Sequence, residues 1–144
     1  HRVAPERRDV GVVFQGYALW PHLDALDTVA YPIRRRGVGA AEARRRAAVI
    51  LERLGSPQLG HRRPAELSGG EQQRVGLGRA LAREAGVYLF DEPTAHLDTD
   101  TARDVGTIFR EFNQVGVTIV VATYDDRLFP DARKIRLDHG HLAT

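Results

Sequence analysis

Residues 66–82 read ELSGGEQQRVGLGRALA, a serine followed by two glycines at the head of a helical run. Ser68, Gly69 and Gly70 there present a hydroxyl, unobstructed backbone donors and the positive end of a helix dipole, which is what an anion needs. Ser68 with Glu71 also matches the S/T-x-x-E capping box, in which each side chain satisfies the other's free backbone N–H. Taken alone, the turn is equally an ordinary capped helix. A second group with chemical potential is VYLFDEP, residues 87–93, an apolar run that delivers two acids side by side. At the C-terminal edge of a sheet, Asp91 is placed to hold Mg²⁺ directly or through water, while Glu92 points elsewhere and can polarise an attacking water. Phosphoryl chemistry needs those two jobs, charge neutralisation and nucleophile positioning, done by separate groups. An adjacent Asp-Glu pair by itself also reads as a strand-to-turn junction with solvated acids. Residues 1–144 contain no G-x-x-x-x-G-K-[ST] phosphate loop, and the single lysine, Lys134, sits in a strand-like segment rather than after glycines.

The elements that position these groups follow from periodicity and turn residues. Residues 9–15, DVGVVFQ, are short, apolar and β-branched and read as a buried strand. Residues 17–38 are irregular, with Pro21 and Pro32, and hold a short helix from 24 to 30. Ala43, Ala47, Ile50, Leu51 and Leu54 recur at helical spacing over 40–54, and Gly55 supplies the stop. Residues 55–66 form a loop or broken short helix. Ser68 opens the next helix, inside which Gly76 and Gly78 each cost about 1 kcal/mol relative to alanine and imply close packing against a neighbour. VYLFD, 87–91, is a second buried strand. A helix over 99–115 carries Ala102, Val105, Ile108, Phe109, Phe112 and Val115 on one face, and Gly116 ends it. VTIVVAT, 117–123, is the most strand-like stretch, and KIRLD, 134–138, is a final strand before a turn at His139-Gly140. Strands alternating with helices predict a parallel sheet in an α/β fold.

The bulk composition narrows the classes. With 144 residues and 42% hydrophobic content the chain supports a globular core. It has no apolar run long enough to span a bilayer and no signal-peptide pattern. Twenty-one basic against 19 acidic side chains leave a net charge of +2, too weak and scattered to argue for nucleic acid, so none is expected as a partner. The basic runs 34–36 and 44–46 read as a solvated helix face and its approach. The six histidines read as solvated or turn residues rather than metal ligands. The absence of cysteine excludes disulfides and thiolate chemistry. A chain that starts at His1 and holds no methionine is expected to be an interior fragment, or a chain trimmed at its N-terminus.

Taken together, LSGGEQQR (67–74), VYLFDEP (87–93) and HLD (96–98) resemble the signature, Walker B and D-loop motifs of the nucleotide-binding subunit of ATP-binding cassette (ABC) transporters. Gln15, in VVFQGYALWPHL, matches the family's Q-loop. The resemblance implies a P-loop NTPase three-layer α/β fold with parallel core strands and a helical signature subdomain, here incomplete. It divides the chain into a core part, 1–15 and 86–144, and a helical part, about 16–85. It implies ATP and Mg²⁺ as cofactors, with Ser68, Gly69, Gly70 and the adjoining Glu71 at the γ-phosphate. Asp91 then serves the Mg²⁺ site, Glu92 is the general base or water-orienting carboxylate, and Gln15 touches metal and water. Asp98 belongs to the D-loop, which crosses a dimer interface. In the family the signature serves the nucleotide held by the opposite subunit's phosphate loop, so clamp and cradle meet only across a head-to-tail dimer. The missing loop is therefore expected upstream of residue 1, and this chain alone is expected to be inactive. The implied partners are a second ATPase subunit and transmembrane permease subunits, contacted through 15–54, which puts the protein on the cytoplasmic face of the cell membrane.

One position departs from the family. Tyr124, in VATYDD, stands where relatives carry a histidine that contacts the γ-phosphate, and a phenol cannot supply that charge near neutral pH. Weakened hydrolysis is expected sooner than lost binding. Residues 13–38 resemble ATPases of bacterial solute importers, whereas FREFNQVGVTIVVAT (109–123) is equally similar to cell-division members. Beside the transport ATPase stand two alternatives: an interaction module of the same fold with slight turnover, and a chromosome-maintenance ATPase of the head-domain type. The importer-like 13–38 and the lack of coiled-coil heptads argue against the last.

Overall fold

A computed structural model describes residues 9–14, 17–139 and 141–142. Three parallel strands, β1 (Val10–Val13), β2 (Val87–Asp91) and β3 (Thr118–Ala122), lie in that order across one sheet. Val10 stands opposite Val87 and Val87 opposite Thr118, so Val13, Phe90 and Val121 share one rung. Parallel neighbours need long crossovers. The first carries helices α1 (Ala25–Arg35), α2 (Ala40–Arg53) and α3 (Gly69–Leu81), and the second carries α4 (Thr99–Gln114). Single 3₁₀ turns at Pro57–Leu59 and Pro64–Glu66 fill the broken stretch between α2 and α3.

One face of the sheet is buried. Val13, Tyr88 and Phe90 pack there against Leu77, Ala80 and Leu81 of α3 and Val105, Ile108 and Phe109 of α4. The rings of Phe90 and Phe109 stack with centroids 4.4 Å apart. Tyr88 is fully buried, with its hydroxyl accepting from the Ala85 N–H and donating to the Leu81 carbonyl. Its ring lies where a side chain on β1 would otherwise stand: a Cβ at Gly11 would fall 2.5 Å from Tyr88 Cδ1. The other face differs from the expectation of buried strands. Val12, Leu89 and Val120 are 43%, 39% and 53% exposed on it, because the described helices cover only the side that Tyr88 and Phe90 occupy. The described residues thus supply two of the three layers.

A second apolar cluster joins α1, α2 and α3 through Val29, Ile33, Ala43, Ala47, Leu51 and Val75. Here α1 is longer than the predicted 24–30. Asp24 caps it, accepting from the Asp27 N–H, and the helix runs through Pro32 to Arg35 because Ile33 is anchored in this cluster despite the missing proline N–H. Arg44 is not simply solvated. It forms ion pairs with Asp24 and Asp27 and so ties α2 to the head of α1, while Arg45 and Arg46 pair with Glu42 on the surface. Gly78 meets its neighbours as its sequence position implied, with a notional Cβ 3.1 Å from Val29 and 3.3 Å from Leu54.

Two expected elements are shorter. Val115 is 79% exposed rather than on the apolar face, since α4 ends at Gln114 and the chain turns away at Gly116. In 134–138 only β4 (Leu137–Asp138) is a strand, paired antiparallel with β5 (His141–Leu142). Lys134 instead reaches Asp126, at 2.8 Å, and no strand flanks residues 134–136 among those described. Also among the described residues, no helix is long and apolar enough to cross a membrane.

Gly11→Ala tests the Tyr88 packing. The added methyl displaces a buried ring in a closed core, and the expected loss is about 2 kcal/mol in urea unfolding with an unchanged m-value. A loss below about 0.5 kcal/mol contradicts the close approach.

Candidate functional site

The head of α3 is built by a reciprocal cap. Ser68 has extended backbone (φ −64°, ψ 164°); its Oγ accepts from the Glu71 N–H at 3.3 Å, and the Glu71 carboxylate accepts from the Ser68 N–H at 2.8 Å. The Ser68 N–H on its carboxylate, with Arg62 and Arg74 nearby, holds Glu71 below the usual carboxylate range. Capping occupies a lone pair of the Ser68 hydroxyl, and the Ser68 side chain also helps hold the Glu71 carboxylate in its charged form. The first amides of a helix have no intrahelical acceptor. Here Glu71 N–H is met by Ser68, while the N–H groups of Gly69 and Gly70 have no acceptor among the described residues. Ser68 and Gly69 are exposed, and nothing lies within 4 Å of a notional Gly69 Cβ. Gly70 is the opposite case: a Cβ there would stand 2.7 Å from the His96 carbonyl oxygen, so only glycine lets the helix start approach the loop after β2.

That loop carries the acids. Asp91 ends β2 exposed, and its carboxylate has no partner among the described residues. Glu92 follows in left-handed backbone (φ +47°) and turns its side chain toward the end of β3. Its carboxylate accepts from the Tyr124 N–H at 2.9 Å and from the Thr123 hydroxyl at 3.2 Å. Two of roughly four lone-pair sites are thereby used, and the rest stay open to a water. Asp98 caps α4, accepting from both the N–H and the hydroxyl of Thr101, which depresses its pKa, and lies 4.0 Å from Arg74. The Tyr124 side chain is fully exposed. Gln15 lies outside the described residues.

The structure therefore brings Gly70, the 92–96 loop and the end of β3 into one region, with Ser68 and Gly69 opening outward at its rim. No group of three or more His, Asp or Glu side chains suited to a metal occurs among the described residues. A lone, unpaired Asp91 still fits Mg²⁺, which commonly takes one or two carboxylates and completes its shell with water and phosphate oxygens. Sequence reasoning missed three contributors: Gln73, Tyr17 and Thr123. Gln73 is fully buried, donates to the Glu92 carbonyl at 3.0 Å and accepts from the His96 N–H at 3.2 Å. Tyr17 OH lies 2.9 Å from His96 Nδ1. A signal for Gln73 existed: at 73, 77, 80 and 81 it falls on the apolar stripe of its helix, where an amide must find partners.

A parallel sheet whose middle strand ends in adjacent acids beside a serine-capped helix has the architecture of P-loop NTPases. The chain aligns with the dimeric, post-hydrolysis structure of the ATP-binding cassette MJ0796 bound to ADP and Pi at a TM-score of 0.80 and 35% identity, over 85% of this chain and 55% of that one, and so has the ABC ATPase fold. The sequence profile described as ABC transporter matches residues 1–95. The chain belongs to the ABC transporter family, as an ATP-binding domain fragment. It is 48% identical to the Fe(3+) ions import ATP-binding protein FbpC of Agrobacterium fabrum, over 94% of this chain and 39% of that protein. It is 46% identical to the arginine transport ATP-binding protein ArtP of Haemophilus influenzae, over 83% of this chain and 49% of that protein. The chain thus spans less than half the length of these curated relatives.

Ser68→Ala removes the cap and is expected to cost about 1 kcal/mol of stability by chemical denaturation. The pH dependence of Glu71 has a definite sign. Its folded pKa is depressed, so its stabilisation is complete above the ordinary carboxylate range and lost as pH falls through the folded value. Glu71→Gln, which preserves the capping geometry, should flatten the acid limb of the stability curve below about pH 4.3. An unaltered acid limb contradicts the assigned bond.

Proposed function

We propose that this chain is the signature-bearing part of an ATP-hydrolysing subunit that powers a membrane transporter. In this reading the head of α3 clamps the triphosphate held by a second ATPase subunit in a head-to-tail dimer. The observation that carries it is the pair of unmet donors at one helix end, the Gly69 and Gly70 amides, which have no acceptor among the described residues and stand beside the exposed Ser68 hydroxyl. Glu71 fixes that turn rather than donating to the anion. Asp91, with Gln15, would hold Mg²⁺, which when bound supplies positive charge against the phosphate oxygens. Glu92 orients and deprotonates the attacking water, its carboxylate fixed by Tyr124 N–H and Thr123 OH. Asp98 sits in the loop that meets the second subunit.

The division into a core part (1–15 and 86–144) and a helical part (about 16–85) belongs to the same proposal. Permease subunits dock on 15–54, which keeps the protein on the cytoplasmic face of the membrane. A cleft of about 670 Å³ runs beside α1, where Trp20, Tyr31 and Arg35 face Val10 and Val12 of β1 and Arg79 of α3. The relatives' names include iron and arginine transport and, in the macrolide export protein MacB of Burkholderia pseudomallei, 43% identical over 90% of this chain and 20% of that protein, export.

Tyr124 favours a second reading, an interaction module with little turnover. Its phenol stands in solvent with no partner among the described residues, although its N–H is bonded to Glu92. In the whole gene product, Glu92→Gln should lower ATP turnover at least about 100-fold while leaving nucleotide binding intact. A mutant that still cycles removes Glu92 from the reaction. Tyr124→His separates the readings: a rise of about tenfold or more in kcat marks a weakened enzyme, and an unchanged rate marks the module.

A further inference from the structure

We propose that Gln73 is a positioning residue for the reaction at Glu92, holding that residue's backbone in the conformation that aims its carboxylate. The inference rests on the proposed reading of Glu92 and names a residue on which that carboxylate depends.

The two adjacent glutamines at the head of α3 divide their work. Gln72 braces its own helix start, donating to the Pro64 and Leu67 carbonyls. Gln73, fully buried, spends its amide on the loop after β2: Nε2 donates to the Glu92 carbonyl and Oε1 accepts from the His96 N–H. Both bonds go to backbone, one at each end of the 92–96 loop. A buried amide without partners is costly, so this side chain and that loop hold each other in place.

What the loop needs from the brace is visible at Glu92. Its φ of +47° is left-handed, a region that is unfavourable for a non-glycine residue and persists only where surroundings over-determine it. Glycine would relieve the strain but would leave no carboxylate. Three sets of bonds impose the conformation. The Glu92 N–H donates to the Ala122 carbonyl, the Glu92 carbonyl accepts from Gln73 Nε2 at 3.0 Å and from the Ala95 N–H at 3.3 Å, and the carboxylate accepts from Tyr124 N–H and Thr123 OH. Of these, only the Gln73 bond reaches Glu92 from a helix. Without it the carbonyl keeps only the longer bond from the Ala95 N–H inside its own turn, the residue can relax to negative φ, and the side chain leaves the end of β3. Because Gln73 stands on the helix that Ser68 opens, the same amide fixes the helix bearing the clamp to the loop bearing the water-activating acid.

Two substitutions in the whole gene product test this, read by amide hydrogen exchange and by steady-state kinetics. Gln73→Met removes both bonds at similar volume. Exchange at the Tyr124 amide, whose acceptor is the Glu92 carboxylate, should quicken about tenfold or more, kcat should fall about tenfold, and KM for ATP should stay within about threefold. A purely structural brace would free the His96 amide and leave Tyr124 protected, and that outcome overturns the proposal. Gln73→Glu keeps the shape, so it tests the idea even where the methionine variant does not fold. The neutral buried acid can donate to the Glu92 carbonyl and the ionised form cannot, so its kcat should fall with rising pH where the parent's does not. A pH profile parallel to the parent's also overturns it. Should Tyr124 exchange quicken in a protein whose Glu92→Gln variant still turns over, Gln73 positions Glu92 but the catalytic assignment of Glu92 is what has failed.

Discussion

The contact between the head of α3 and the loop after β2 governs this molecule. At Gly70 the helix backbone comes so close to the His96 carbonyl that a methyl group would not fit. One helical turn further on, the buried Gln73 amide bonds that same loop at Glu92 and His96. A helix end can be brought this near to a strand end only if glycine removes the steric obstacle and a polar side chain satisfies the loop's backbone. The consequence is chemical. The outward-facing turn at Ser68 and Gly69 is rigidly related to the Glu92 carboxylate held against β3, although Glu92 lies 24 positions after Ser68 in the chain. The stacked Tyr88, Phe90 and Phe109 rings beneath supply the stiffness, since they fix the strand that carries both acids.

Much of this was legible in local pattern. The strand around VYLFD, the helices over 40–54 and 99–115, and the capping box at Ser68 and Glu71 all follow from short-range rules, and each is present with bounds shifted by a residue or two. The misses have tertiary causes. Pro32 helped mark 17–38 as irregular around a short helix at 24–30; burial of Ile33 outweighs the hydrogen bond that proline forgoes. Val115 fitted the apolar stripe, but the helix ends before it. KIRLD has strand composition yet lacks neighbours over most of its length among the described residues. Arg44 looked like part of a solvated run, and only the fold brings Asp24 and Asp27 beneath it.

The site shows the same division. Ser68, Gly69, Gly70, Asp91 and Glu92 were candidates because their residue types announce anion and metal chemistry. The residues that hold them were harder to read, because beyond the place of Gln73 on an apolar stripe nothing local marks them. Gln73 acts through hydrogen bonds to groups 19 and 23 positions away, and Thr123 and Tyr17 through bonds to groups 31 and 79 positions away; no spacing rule encodes such pairs. The left-handed backbone at Glu92 was equally hidden, because nothing in a glutamate predicts it. Local rules find the reacting groups here, and the long-range bonds that orient them require the fold.

The central claim is that the serine-led turn of one protomer completes a nucleotide site on another. An experimental structure of the ATP-loaded whole gene product, trapped by Glu92→Gln, tests it most directly. The account predicts the Ser68 Oγ and the Gly69 or Gly70 amide nitrogens about 3 Å from γ-phosphate oxygens of a nucleotide bound to the opposite protomer. Finding that turn in bulk solvent, or against a nucleotide held by its own chain, would contradict it.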